Sequence, residues 1–248
     1  MQRVSLAAGA EHPGTVKPVV AALTDLGFRA QLRTGRLGRR LPQLFIGLVV
    51  FGLSIALMVE SDLGAAPWDV FHTGVANLVP LSIGQVTIAV SFVILVLWLA
   101  LGERMGIGTI GNALIVGASA DVFLAIIDTP DSFAVRATML LVGIIVNAFA
   151  TAVYVGAQLG RGPRDGLMTG IARRTGWSIR AVRTALELMV IAGGLALGGV
   201  AGVGTIAFAV LIGPLAQWLI PKFAVELAPE SNSLSGSELG SGAAPLIA

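Results

Sequence analysis

The sequence predicts an all-α membrane protein: six transmembrane helices forming two inverted-topology three-helix repeats, each with a short re-entrant or interfacial helix after its first span. Three observations predict it. The apolar residues fall in long blocks, at 55% hydrophobic and 12% charged overall, about half the charge of an average soluble domain. The stretch from Leu44 to Ala120 recurs without a gap from Leu140 to Ala216. Arginines and acidic residues alternate from one connection to the next.

The elements follow in chain order. Residues 1–40 form a polar arm, expected to be cytoplasmic, with Arg29, Arg33, Arg36, Arg39 and Arg40 gathered before the first apolar run and a candidate surface helix over 16–26. No small-residue cleavage pattern follows that run, so it reads as a retained span and not a signal peptide. A hydrocarbon core of about 30 Å needs ~20 helical residues. Six segments meet this: 43–60, 82–101, 108–127, 137–156, 178–198 and 203–220, the fifth being the least apolar. They group as membrane repeat 1 over 41–130 and membrane repeat 2 over 137–222. Residues 223–248 are rich in Ser, Gly, Pro and Glu and read as a flexible C-terminal tail.

Basic residues flanking spans stay on the cytoplasmic side. The first connection has Glu60, Asp62 and Asp69 and no Lys or Arg, whereas the one after span four has Arg161, Arg164, Arg173 and Arg174. The alternation puts both termini in the cytoplasm of a multi-pass protein. Each copy has three spans, an odd number, so the second copy enters the membrane from the opposite side. Residues 67–79 and 163–175 are too short and too polar to add a crossing. Arginines lie at both ends of the second of these pieces, which keeps both ends on one side. Backbone of this kind is tolerated at depth where protein or water covers it.

The most specific motif is LGxxPxDxxxTG, from Leu63 to Gly74 and from Leu159 to Gly170. Gly64 and Gly160 suit left-handed helix ends, Pro67 and Pro163 suit first helical positions, and Asp69 and Asp165 suit helix N-termini. That is a plain capping account. The alternative is that short, Gly/Pro-interrupted segments at matched places in two inverted halves mark a substrate or ion site. His72, one turn after Asp69, could titrate near neutral pH, although Met168 stands in its place in the second copy. The second paired block is Gly106, Gly108 and Thr109 against Gly202, Gly204 and Thr205. It reads as capping and close backbone approach, or as a backbone-lined gate.

Polar groups inside spans are expensive. Glu187 lies roughly 13 Å into span five at about 1.5 Å per residue, with Arg183 one turn earlier. Asp121 in span three, Gln85 at the start of span two, Asn112 and Asn147 complete the set. The pathway candidates are Asp69, His72, Gln85, Asp121, Asp165, Arg183 and Glu187. For Arg183 and Glu187 a buried ion pair that only orients helices and a coupling role weigh evenly. The arginines after span four could also hold anionic lipid head groups.

No cysteine is present, and there are two histidines, so thiol chemistry is excluded and a histidine metal site is not expected. No nucleophile, base and orienter come together in the sequence, so neither an enzyme nor a cofactor is expected. The expected partners are the lipid bilayer and an undetermined small molecule. No nucleic-acid module is visible, and the Gly-rich spans leave homo-oligomers open.

The motifs LGAAPWDVFHTG, LSIGQV, GIGTIGNALIVGASAD, LGRGPRDGLMTG and GVGTI resemble those of the YczE/YitT-type bacterial integral membrane proteins. The resemblance covers residues 42–222, leaves both tails outside, and implies a bacterial inner-membrane location without naming a substrate. Arg180 stands where Gly84 stands in the first copy, a departure from strict equivalence. The resulting expectation is a permease or exporter of a small molecule, with proton coupling as one option. The rival expectation is a non-transporting scaffold or accessory subunit that organises a partner at the arginine-rich face.

Overall fold

The computed structural model describes Gln31 and residues 35–225. His12, the 16–26 helix, most of the 1–40 arm and residues 226–248 of the tail lie outside the described residues. Eight helices and no strands are present among the described residues: α1 Leu37–Glu60, α2 Pro67–Ala76, α3 Ile83–Leu101, α4 Ile107–Leu124, α5 Phe133–Gly156, α6 Pro163–Thr175, α7 Ile179–Ala196 and α8 Val203–Phe223. Five of them, α1, α3, α4, α5 and α8, are long and apolar enough to cross a membrane. The 18 residues of α7 match them in length, but Arg180, Arg183 and Glu187 set its composition apart.

Local chemistry starts and stops these helices. Ser82 and Gln85 form a reciprocal capping box at the start of α3, with both hydrogen bonds at 3.1 Å. Ser178 caps α7 by accepting from the Ala181 N–H. Pro67 and Pro163 open α2 and α6, where a missing N–H costs nothing. The spans differ from the hydropathy reading mainly at their ends. α1 begins at Leu37 and not at residue 43, because Arg40 is wholly buried and ties the helix start to another helix. An apolar run cannot reveal an end that is set by tertiary hydrogen bonds.

α1 and α5 form the centre of the bundle, packing on each other, with α4 against α1 and α8 against α5. Arg40 near the start of α1 donates to the carbonyls of Ala157 at 2.9 Å and Gln158 at 2.7 Å, just past the end of α5. Arg136 near the start of α5 donates to the carbonyls of Ser61 at 2.7 Å and Asp62 at 2.6 Å, just past the end of α1. The two helices therefore run antiparallel, and each residue of one clamp lies 96 positions along the chain from its counterpart in the other. The short helices cross over: α2 packs on α7 and α6 packs on α3. Outward faces carry large apolar side chains, such as Val93, Val96 and Leu99 on α3 and Ile206, Val210 and Trp218 on α8. In a membrane protein these are the faces that lipid covers.

Candidate functional site

The two paired sequence blocks are each other's partners across the molecule. The Leu63 carbonyl accepts from the Gly204 N–H at 2.8 Å, and the Leu159 carbonyl accepts from the Gly108 N–H at 2.7 Å. Gly64 and Gly160 adopt φ of 109° and 127°, which side-chain-bearing residues rarely reach. There is no room for a side chain either: a Cβ on Gly64 would meet the Gly202 nitrogen at 2.5 Å, and one on Gly160 would meet Thr109 Oγ1 at 2.9 Å. Thr109 and Thr205 accept from the N–H groups of Gly106 and Gly202 at 3.1 and 3.2 Å. Thr109 also donates to the Arg161 carbonyl at 2.7 Å. Each Leu-Gly turn is thus locked to the Gly-x-Gly-Thr start of the other half, beyond the local capping that either block suggests alone.

These locks bring the N-termini of α2 and α6 to the middle of the molecule, where they border a cavity of about 290 Å³. Neither Ala66 nor Gly162 at the N-cap supplies a side-chain cap. The walls come from matched places in the two copies but differ in chemistry. Thr87 and Ser91 on α3 face the cavity where the second copy presents Arg183 and Glu187 on α7, and Asn112 on α4 corresponds to Phe208 on α8. Trp68 and Arg164, also matched, meet at the centre, with the guanidinium 5.2 Å from the ring centroid.

Of the pathway candidates, Asp165, Arg183 and Glu187 line this cavity. Asp165 accepts from the Tyr154 hydroxyl at 3.1 Å, and Arg183 donates to Glu187 at 2.8 Å. Asp69 and His72 lie just behind the wall, both buried. Asp69 Oδ1 is 3.7 Å from Arg164 Nη2 and 3.4 Å from His72 Nδ1. Trp68 Nε1, Asp69 Oδ1 and His72 Nε2 are buried without a hydrogen-bond partner among the described residues. Unpaired buried polar atoms of this kind are costly, and here three sit within two turns of α2.

Gln85 and Asp121 are elsewhere. Gln85 belongs to the capping box of α3. Asp121 accepts from the Gly84 N–H at 2.8 Å and from the Ser82 hydroxyl at 2.5 Å, which seals the start of α3 against the end of α4. The seal is close-packed, since a Cβ on Gly84 would overlap the Gly117 carbonyl. The matched seam between α7 and α8 is open. Arg180, Gly213 and Gln217 replace Gly84, Gly117 and Asp121 there; nothing lies within 4 Å of a Cβ built on Gly213, and the cavity extends between Glu187 and Gln217.

The arginines of α6 have partners other than lipid. Arg173 pairs with Glu103 at 2.9 Å and donates to the Leu101 carbonyl at 2.7 Å, and Arg174 donates to the Ala100 carbonyl at 2.5 Å. Both therefore sit at the C-terminus of α3, where cations are favoured. Trp68, Tyr154 and Arg164 are the cavity groups that residue-by-residue reading passes over. Arg164 looks like a charge that sets sidedness, and only its matched position to Trp68 hints that the two meet.

A family model described as "Family of unknown function (DUF6198)" matches residues 38–221. The chain belongs to this family. An uncharacterized protein of Haemophilus influenzae is 37% identical over 177 residues, 71% of this chain and 81% of the relative. The uncharacterized membrane protein YczE of Bacillus subtilis is 32% identical over 181 residues, 72% of this chain and 84% of the relative. The uncharacterized protein YyaS of the same organism is 24% identical over 181 residues, covering 71% and 90%. No solved structure matches the chain. The DUF6198 match runs from the start of α1 to the end of α8, so it contains both locks, the cavity and both seams.

Proposed function

We propose that this DUF6198 protein is a permease or exporter of a small molecule in the bacterial inner membrane, built as two inverted three-span repeats with both termini cytoplasmic. The observation that carries the reading is the unequal state of two matched seams, α3–α4 shut and α7–α8 open. In inverted-repeat transporters the halves exchange conformations to turn a central site from one side of the membrane to the other. A molecule with one seam of each kind has the form of one such state.

The antiparallel α1 and α5, their matched arginine clamps and the crossed glycine locks support the inverted architecture. In this reading α7 is the fifth of six spans, and its charged first half is tolerated because Arg183 and Glu187 pair and face the cavity. With cytoplasmic termini, the open seam faces the cytoplasm and the Asp121 seal faces outward. A cavity of about 290 Å³, at the small end of ligand pockets, suits a small metabolite.

The test is reconstitution in proteoliposomes with a metabolite panel, comparing the unmodified protein with Asp69→Asn and Asp165→Asn. Saturable solute flux that both substitutions impair is expected. An unmodified protein that assembles yet moves no solute or proton sinks the permease, and growth or secretion defects that track the α6 arginines would then favour a scaffold. The chain has no cysteine, so single-cysteine labelling at Asp62 and Gln158 reports sidedness directly. Labelling of both from one face would remove the inverted architecture.

A further inference from the structure

His72 is wholly buried on α2, a helix of 10 residues that does not span the bundle, between the cavity wall and Phe71. Its hydrogen-bonding state follows from its neighbours. Thr87 Oγ1 lies 3.1 Å from His72 Nδ1 and donates its own proton to the Ile83 carbonyl at 2.9 Å. A hydroxyl has a single proton; with it on the Ile83 carbonyl Thr87 accepts towards the ring, and the Asp69 carboxylate 3.4 Å from Nδ1 can also only accept, so both neighbours favour the tautomer with the hydrogen on Nδ1. The neutral ring then keeps its lone pair on Nε2, the atom without a partner among the described residues. Thr87, which meets the ring, and Trp68, one turn earlier on α2, both line the cavity.

The same ring faces a shared carboxylate. His72 Nδ1 approaches Asp69 Oδ1 from α2, and Arg164 Nη2 approaches that oxygen from α6. Arg164 also interacts with Asp165, its neighbour on α6, and α7, packed against α2, carries Arg180 and the Arg183–Glu187 pair at 2.8 Å. α3 contributes no titratable group. A proton that reaches Nε2 forms an N–H bond with its lone pair and makes the ring a cation. The cationic ring then competes with Arg164 for Asp69.

We propose that His72 is a proton-binding site whose occupancy decides, through the Asp69 carboxylate, how firmly Arg164 is held at the cavity wall. Its use in coupling transport rests on the permease reading, whereas the proton site itself does not. By linkage, any group that draws Arg164 away from Asp69 strengthens proton binding at His72, and the reverse holds equally.

The chain has two histidines, so His12→Gln leaves one imidazole to follow by ring-nitrogen NMR on the full chain in lipid nanodiscs between pH 4 and 9. At high pH the expected spectrum shows hydrogen on Nδ1 and a bare Nε2, and acidification adds the second proton. Arg164→Gln removes a cation and frees Asp69, so the titration midpoint should rise by about one pH unit. Asp69→Asn should lower it by a similar amount, because a charge within ~4–6 Å typically acts on this scale. Arg164→Lys keeps the charge and should move the midpoint less, and it guards against a misfolded glutamine variant. Hydrogen on Nε2 at high pH, a ring unchanged across the range, or a midpoint unmoved by both Asp69→Asn and Arg164→Gln would overturn the proposal. Proton binding as described in a protein that moves no solute would uphold this site and remove the permease.

Discussion

Arg164 lies with its guanidinium 5.2 Å from the centroid of the Trp68 ring, and the two residues hold the same place in the two copies of the repeat. Duplication delivered one position twice to the middle of the molecule, and divergence made one copy an aromatic face and the other a cation. Such a contact is worth ~0.5–2 kcal/mol, more when water is excluded. A double-mutant cycle of Trp68→Leu and Arg164→Gln, read by thermal unfolding in detergent, should show a coupling of about 1 kcal/mol. Additivity within ~0.3 kcal/mol would mean that the contact contributes nothing.

Asp121 is the polar bolt of the α3–α4 seam, holding the Gly84 N–H and the Ser82 hydroxyl. Asp121→Ala removes both bonds and leaves the Gly84 N–H without its acceptor. In the cysteine-free chain, Ser91→Cys places a thiol in the cavity. A membrane-impermeant maleimide added outside intact cells should label it slowly in the parent and several-fold faster with Asp121→Ala. Equal rates would show that the seam is shut by something other than Asp121.

Gly117 and Gly213 are matched, yet their surroundings are opposite. A Cβ on Gly117 would overlap the Gly84 carbonyl, whereas a Cβ on Gly213 meets nothing within 4 Å. Gly117→Ala should therefore cost about 1–3 kcal/mol through overpacking. Gly213→Ala should leave the melting temperature unchanged or slightly raised, since alanine favours helix by ~1 kcal/mol over glycine. If α7 closes on α8 during a cycle, Gly213→Ala should still slow solute flux. A protein as stable and as fast as the parent would show that the α7–α8 seam does not close at Gly213.

The all-helical make-up and the two short helices were legible because they rest on apolar periodicity and on Gly and Pro at matched places. The long-range role of those glycines was not. Gly64 alone says only that a turn is present; that its neighbour is Gly202 depends on how two distant blocks dock. The tertiary partners of Arg40 and Arg164 were hidden in a related way. A charge near an apolar run carries a strong statistical meaning for sidedness, and that meaning hides a guanidinium committed to buried carbonyls or to a carboxylate. Asp121 looked like a cavity group because an acid within a span is costly wherever it sits. Only the structure shows that its partners are Ser82 and Gly84.

The two arginine clamps give a last expectation, because they hold matched pairs of carbonyls but differ in burial and in their remaining partners, the Gln31 and Gly35 carbonyls for Arg40 and the Asp62 carboxylate for Arg136. Arg40 is wholly buried and holds the carbonyls of Ala157 and Gln158, while the Arg136 side chain remains 23% exposed as it holds those of Ser61 and Asp62. Hydrogen bonds to charged groups contribute about 1.5–3 kcal/mol each, and carbonyls left buried without a donor cost more than those that water can reach. Arg40→Gln should then destabilise the protein by ~3 kcal/mol or more and Arg136→Gln by about half as much, because solvent can replace the donor at the second site. Thermal unfolding of the two variants in the same detergent measures the difference. If Arg136→Gln proved the more damaging, the exposed pair with the Asp62 carboxylate at 2.6 Å, and not burial, would be what gives these clamps their strength.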